Sequence, residues 1–490
     1  MNSDQNTLST AAVAPSQPIA TRIPAEILIQ IIDQLQNRYS PWTEYPWPYT
    51  YVCRYWREVL IAEPHLWTTI NLDVQPSPQE QEGHLFERLA LQLERTGSQP
   101  FFLSTHAQDG FDPKVFELLV SHHNRWKEAE LDLFASDMTQ LLCLRESWSF
   151  DRLFRLELRT DPPSDEAPLN LDMFMQAPQL QVLHLMLANL SAFNFPWSRL
   201  TSLTLTHVYA ELGHVQQVFG QCTSLVDLEL APLNIDGQAA YPDMTISLPH
   251  LDALTYEVSD EPGNLLQLLH MPALELLTLT AGAPLEQIQS CFLLSNPPLT
   301  TLQLSMIVWR PYQPEQDAAT LKDILRMVPT LEYLGMTTPP LSTPGDRTLL
   351  NIVLSVLEYN DSDPLCPNLG GLALHFMSFS DATSEPFMRM LTSRSIVARE
   401  EYTAALQSTL EELKRSAQDT TNCNAEEARA ALRRVNELRT RNFWGLKATL
   451  TNLTVSFEEE RSMENCFSKE QLDRIKVLTI GMNLYTSAGE

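Results

Sequence analysis

One hydrophobic pattern, Leu-x-x-Leu-x-Leu, recurs between residues 153 and 304 at intervals of 20 to 27 residues. The last two leucines of each copy alternate along a strand, and the first leucine covers the turn that enters it. Helical patterns fill the intervals, and many of them end just before a proline. A strand and a helix in each unit of this length predict a solenoid, in which each unit buries its apolar face against its neighbours. Clear copies begin at Leu153, Leu180, Leu200, Leu225, Leu274 and Leu299, and weaker ones at Trp126, Leu251, Leu331 and Leu369.

The segments between these copies, and those before and after them, also allow predictions. The register returns at Leu450 and Ile475, which predicts two closing repeats, each with a strand. The copies lack a regular asparagine or cysteine, so a generic α/β domain with leucine-rich strands stays open as the alternative. Ahead of the repeats, residues 101–103 read as a strand. We predict helices at residues 85–95, 115–123, 212–219, 265–270, 285–294, 317–328 and 349–359, and a helix start in 384–394.

A segment rich in charge interrupts the register after residue 394. Residues 400–413 and 425–438 place leucine, alanine and valine on one helical face. Between them, Asn424 and Glu427 have the spacing of a capping box. We therefore predict a helical hairpin inserted at about residues 395–447, either packed on itself or binding a partner.

The N-terminal part of the chain has a different pattern. Residues 1–20 are polar and predict a disordered tail. Pro24 suits the first position of a helix, and the helix is expected to reach about Gln36. A second helix is expected over residues 51–60, while the prolines between 38 and 50 make a long helix there improbable. The first helix carries an apolar stripe that consists of Ile27, Leu28, Ile31, Ile32 and Leu35.

These residues resemble the F-box of fungal, basidiomycete-like F-box proteins that carry degenerate leucine-rich repeats. The matching segments are Ile-Pro-x-Glu-Ile-Leu from Ile23, Val-Cys-Arg-x-Trp-Arg-x-Val from Val52, and Pro-x-Leu-Trp from Pro64. The resemblance implies docking to Skp1, which links such proteins to a cullin-RING ubiquitin ligase. It departs from the family at residues 38–50, where shorter versions carry a compact middle helix. The residues it implies in Skp1 binding are Ile23, Pro24, Ile27, Leu28, Ile31, Ile32, Leu35, Val52 and Trp56.

The same apolar positions have a purely structural interpretation, in which they only pack a small helical domain. Some must do so, because each helix has more apolar residues than one groove of a partner could take. A module of about fifty residues struggles to build a self-sufficient core. We therefore expect apolar surface to remain for a partner to cover.

Charge and cysteine usage narrow the class of protein. Lysine and arginine total 33 against 61 aspartates and glutamates, a net charge of −28. Such a chain repels phosphate backbones, which argues against nucleic acid as the main ligand and is compatible with a basic partner. The seven cysteines are widely spaced without a CxxC pair, as in intracellular proteins with reduced thiols. Without a secretory signal pattern or a membrane-length apolar run, we expect an intracellular protein of the cytoplasm, the nucleus or both.

The sequence lacks the common motifs of nucleotide-binding, metalloprotease and hydrolase sites. It has 15 glycines, and it contains no GxxxxGK[ST], GxGxxG, HExxH or GxSxG pattern. We therefore expect no catalytic residue, no metal site and no cofactor, and we expect that the protein is not an enzyme.

The sequence predicts an α/β protein with an N-terminal helical module, residues 21–70, and an irregular leucine-rich-repeat solenoid, residues 71–490, that carries the inserted hairpin. By resemblance, the function is that of a substrate-recognition adaptor of an SCF-type ubiquitin ligase. The N-terminal module would dock a Skp1-like protein, and the repeats would bind a client protein. The alternative is a leucine-rich-repeat interaction scaffold that is not linked to degradation.

Overall fold

The computed structural model describes most of the chain and shows an α/β protein with a large parallel sheet and helices. It divides into two compact units, Met1–Val182 with Ala192–Pro196, and Leu183–Ser191 with Trp197–Glu490. The predicted tail at 1–20 and the predicted hairpin at about 395–447 lie outside the described residues. These are 23–38, 46–74, 80–107, 112–134, 137, 148–160, 172–236, 245–258, 265–282, 284–305, 314–337, 346–359, 363–377, 384–394, 450, 452–457, 467–478 and 483–488.

The first unit begins with the N-terminal module. Helix α1 spans Ala25–Arg38, and the carbonyl of Pro24 accepts its first hydrogen bond, from the Leu28 amide at 3.0 Å. A 3₁₀ turn at Trp47–Tyr51, helix α2 at Arg54–Ile61 and a second 3₁₀ turn at Pro64–Trp67 follow. Both predicted helices are present. The second starts later than expected because Cys53, with φ −162°, is extended and separates the turn from α2.

The rest of the first unit alternates strands and helices. Four parallel strands are hydrogen-bonded in chain order: β1 Thr69–Val74, β2 Phe101–Ala107, β3 Trp126–Leu133 and β4 Arg155–Thr160. Helix α3, Glu80–Arg95, connects β1 to β2, and helix α4, Pro113–Val120, connects β2 to β3. The carboxylate of Asp112 caps α4 by accepting bonds from the Lys114 and Val115 amides at 2.8 and 3.3 Å.

The second unit continues the alternation with parallel pairing wherever the strand register is defined. Strands β8 and β10 form a separate pair, and the others are ordered as in the chain. The strands are β5 Val182–Met186, β6 Ser202–Glu211, β7 Asp227–Asp236, β8 Ile246–Ser247, β9 Ala253–Glu257, β10 Leu269–His270, β11 Leu276–Thr280, β12 Thr301–Ser305, β13 Tyr333–Thr337, β14 Gly371–Met377, β15 Asn452–Phe457 and β16 Asn483–Ala488. The helices are α5 Leu212–Gln221, α6 Leu285–Ser295, α7 Pro314–Met327, α8 Asp346–Leu357, α9 at residues 384–394 and α10 Lys469–Leu478.

The leucine register explains this architecture. Leu203 of β6 lies opposite Leu228 of β7, and Leu205 opposite Leu230, so that the strand leucines form buried rows across the sheet. The first leucine of a copy is buried as well, and its amide donates to the carbonyl three residues earlier, in a tight turn that aims the chain into the strand. This bond recurs at Leu153, Leu180, Leu200, Leu225, Leu251, Leu274, Leu331 and Leu369, with lengths of 3.1–3.4 Å.

One sequence prediction was wrong, and another was right only in part. The copy expected at Ile475 lies in α10, not in a strand, because Ser468 and Gln471 form a reciprocal capping box that starts a helix there. The closing strand is instead β16. The helix predicted at residues 265–270 is a 3₁₀ helix that covers only Leu265–Leu268, and β10 follows it, since the backbone of Leu269 pairs with that of Ile246.

Candidate functional site

The N-terminal module has a closed apolar core of its own. Leu28 and Ile32 of α1 and Leu60 of α2 are fully buried against Leu66 and Trp67 of the second 3₁₀ turn. The indole Nε1 of Trp67 donates to the Leu60 carbonyl at 2.8 Å, so its polar atom is satisfied inside the core. Ile27 and Ile31, which directly precede Leu28 and Ile32 in the chain, are not part of this core.

The outer face of α1 carries an apolar ridge. Ile27 is 46% exposed and Ile31 42%, and Pro24 is exposed one turn before them. Residues spaced by three or four lie on the same face of a helix, so these three side chains line one edge. Two large aliphatic side chains exposed beside a complete core make this edge of α1 a candidate surface for a partner.

A second group of exposed apolar side chains lies where the first 3₁₀ turn meets α2. Tyr51 is 72% exposed and Val52 51%. The hydroxyl of Tyr55, one turn further along α2, donates to the carbonyl of Ile23 at 2.9 Å. That bond ties the start of α2 to the start of α1. We call Pro24, Ile27, Ile31, Tyr51 and Val52 the docking surface.

The structure separates the residues predicted from the family resemblance into three groups. Pro24, Ile27, Ile31 and Val52 are exposed; Ile23, Leu35 and Trp56 are half-buried and pack against the core; Leu28 and Ile32 are fully buried. Tyr51 and Ile61 are exposed apolar residues that sequence reasoning missed. The helical spacing distinguishes the two faces of α1, but only the position of Trp67 decides which of them is inside.

The strands of the second unit present another candidate surface, formed by side chains that alternate with the buried leucines. Asp227, Ala253, Leu276 and Thr301 lie opposite one another on β7, β9, β11 and β12. Further along, the ring of Tyr333 covers Gly371 on the next strand. A Cβ added to that glycine would lie 2.6 Å from the Tyr333 ring, so a larger residue there would require the ring to move.

The charge of this strand surface is one-sided. The sequence has no lysine or arginine between Arg199 and Arg310, although the same stretch holds eleven aspartates and glutamates. Asp227 and Glu229 are exposed on β7, and Glu275 is exposed just before β11 begins. Asp227 accepts a bond from the Ser202 hydroxyl at 3.2 Å. Such a surface attracts basic groups and repels acidic ones.

Three of the cysteines that the structure describes are buried thiols. Burial raises the pKa of the Cys222 and Cys291 thiols to about 12 and that of Cys366 to about 11, so these thiols stay protonated and unreactive. Across the described ranges, no group of three or more histidine, cysteine, aspartate or glutamate side chains could hold a metal ion. None of the helices in those ranges combines the length and apolarity needed to cross a membrane.

Comparisons with known proteins add no relative. The chain matches no family model, and no curated protein matches it significantly.

Proposed function

We propose that the chain is the substrate-recognition adaptor of an SCF-type ubiquitin ligase. The N-terminal module would act as an F-box that docks a Skp1-like protein, and the strands and helices that follow would be leucine-rich repeats that bind a client. The observation that carries the proposal is the ridge of Ile27 and Ile31, exposed on a module whose core is already closed. The order and spacing of the F-box-like segments in the sequence support it.

The physical reason for docking is the hydrophobic effect. Fully burying an isoleucine side chain contributes about 1.5–3 kcal/mol. Ile27 and Ile31 already lose more than half of their accessible area to their own helix and neighbours, so only the remainder is available to a partner. Val52 and Tyr51 extend the same kind of surface at the start of α2. Since α1 is held by the buried pair Leu28 and Ile32, the ridge is presented on a preorganised helix.

The repeats would hold the client close to a ubiquitin-charged enzyme. In this role the chain accelerates transfer by proximity and orientation, and the covalent chemistry occurs on other subunits. The strand surface around Asp227, Glu229 and Glu275 supports a client with a basic segment, because its stretch of the sequence contains no cation to compete for these carboxylates.

The first experiment is co-purification with a Skp1-like protein. We expect the wild-type chain to bind it, and the double variant Ile27→Asp, Ile31→Asp to lose binding while it stays folded. The matched control is Leu293→Asp with Leu294→Asp, which adds the same charges at exposed apolar positions of α6 and should bind as the wild type does. A folded wild-type chain with no affinity for the Skp1-like protein contradicts the proposal.

A second measurement separates the adaptor from a scaffold that is not linked to degradation. Cells that express the Ile27→Asp, Ile31→Asp variant in place of the wild type should accumulate the client. The repeats still bind the client, but the variant no longer connects it to the ligase. An unchanged client lifetime, with docking lost, would favour the scaffold.

A further inference from the structure

Most of the aromatic turn Trp47–Tyr51 lies in residues 38–50, the segment that departs from the F-box pattern. The proposed docking uses only Tyr51 of this turn. Tyr51 is 72% exposed and belongs to the docking surface, but it also lies near enough to Arg95 to raise the pKa of that guanidinium. Trp47 packs against the module core, and Thr50 is buried. The Trp47 end faces helix α3, which lies outside the module, between β1 and β2.

The side-chain amide of Gln92, on α3, connects three elements. Its Oε1 accepts a bond from the Trp47 indole Nε1 at 3.3 Å. Its Nε2 donates to the carbonyl of Thr69, the first residue of β1, at 2.8 Å, and to that of Trp67 at 3.4 Å. Gln92 is buried, so these bonds are shielded from water. One amide thus joins the aromatic turn, the second 3₁₀ turn and the first strand.

Arg95 adds a second connection one turn further along α3. Its guanidinium carbon lies 4.6 Å from the centroid of the Trp47 ring and 4.2 Å from that of Trp67. The two indoles pack edge-on, with centroids 5.0 Å apart and planes at 82°. A cation close to two aromatic rings is attracted by both, and the geometry is directional. Trp67 is at the same time a core residue of the module.

We propose that Trp47, Gln92 and Arg95 are positioning residues that fix the orientation of the docking surface relative to strand β1. Trp47 is the module's part of this joint, and Gln92 and Arg95 are the part contributed by the first strand–helix unit. The aromatic turn therefore sets the direction in which Ile27 and Ile31 face. Its functional meaning rests on the adaptor function proposed above, but the geometry does not.

The role follows from what an adaptor must do. A client held by the repeats reaches the charged enzyme only if the angle between the docking surface and the repeats is restricted. A swivel at the module boundary would spread the client over many orientations and lower the effective concentration at the site of transfer. The contacts of Gln92 and Arg95 with Trp47 and Trp67 restrict this freedom. Arg88, also on α3, adds a further contact, with its guanidinium carbon 5.5 Å from the centroid of the Trp47 ring.

The test is a distance distribution between two nitroxide labels in the full chain, measured by double electron–electron resonance. The labels are attached through genetically encoded keto side chains at Gln34 on α1 and Glu117 on α4, both exposed. We expect one narrow distribution for the wild type. Trp47→Leu, Gln92→Leu and Arg95→Met should each broaden it, while circular dichroism and affinity for the Skp1-like protein stay at the wild-type values. Arg155→Met, on β4 and remote from both tryptophans in sequence, should leave the distribution narrow.

Each other outcome has a defined meaning. Distributions as narrow as the wild type's in all three joint variants would overturn the proposal. So would loss of Skp1 binding in a folded Trp47→Leu variant whose distribution stays narrow, because Trp47 would then belong to the docking surface. If the wild type binds no Skp1-like protein, the adaptor function fails, while the distance measurement still tests the joint.

Discussion

The guanidinium of Arg95 lies 4.2 Å from the centroid of the Trp67 ring, which connects α3 to the core of the N-terminal module. Burial lowers the pKa of Arg95, a cost of bringing the cation to the rings, and the nearby Tyr51 and Glu94 oppose that shift. The arginine stays charged at any ordinary pH. The contact therefore acts throughout the physiological range.

Arg95→Met should lower the free energy of unfolding by about 1 kcal/mol, because it keeps most of the aliphatic stem and removes the cation–π attraction. Urea denaturation followed by tryptophan fluorescence measures the change. Arg155→Met, at an exposed arginine of β4, should stay within about 0.5 kcal/mol of the wild type. Equal losses in both variants would mean that the rings contribute nothing specific.

Adjacent residues of α1 should respond in opposite ways to truncation. Ile32 is fully buried, so Ile32→Ala should destabilise the chain by about 2–5 kcal/mol. Ile31→Ala, at the exposed ridge, should cost only about 1 kcal/mol, because little more than half of that side chain is buried, and should still weaken Skp1 binding. Thermal unfolding and a binding titration on the same two proteins check both statements. A large loss of stability in Ile31→Ala would place the ridge inside the fold.

Ile31 and Ile32 show how far the sequence could predict the structure of this module. The helical spacing separates the Ile27–Ile31 face from the Leu28–Ile32 face. Which of them is buried depends on Trp67, which is distant in sequence. The strands were predictable because the leucine spacing is local and repeats, whereas Ile475 was misread because a capping box at Ser468 outweighed a similar spacing. The contacts of Gln92 and Arg95 with the module arise only from tertiary packing.

Arg394, at the end of α9, is a buried cation held by backbone carbonyls. Its guanidinium donates to the carbonyls of Leu357, Leu365 and Cys366 at 2.8, 3.2 and 3.4 Å, and so satisfies the end of α8 and the loop after it. Arg394→Met would leave these acceptors without partners, and we expect a loss of about 3 kcal/mol. Arg394→Lys should restore little, since one ammonium cannot reproduce the planar fork of donors. Chemical denaturation of the three proteins measures this, and full rescue by lysine would contradict it.

Replacing Glu130 on β3 by glutamine should stabilise the chain in a pH-dependent way. Burial raises its pKa, and Glu157 and Glu128 raise it further, while bonding to Ser104 and the charge of Arg155 oppose the shift. A carboxyl whose pKa is raised in the folded state destabilises the fold once it is ionised. Its unfavourable contribution therefore develops as pH rises from the unfolded pKa to the higher folded pKa. Glu130→Gln should therefore raise Tm at pH 7, and the gain should disappear as pH falls below the unfolded pKa of about 4.3. A gain that is independent of pH would assign the effect to packing instead.

The strand surface of the second unit predicts the charge of the client. Asp227→Lys with Glu229→Lys places cations in a stretch that has none, so a basic client should bind more weakly by electrostatic repulsion. Proximity labelling with wild-type bait should enrich proteins that carry basic segments, and this enrichment should fall in the double variant. Added salt should weaken the wild-type interaction, since exposed charges are screened.

Glu315→Lys with Glu385→Lys makes the same charge change at exposed positions of α7 and α9 and should keep the labelling pattern. Equal losses in both double variants would show that net charge alone, and no particular surface, draws these proteins to the chain.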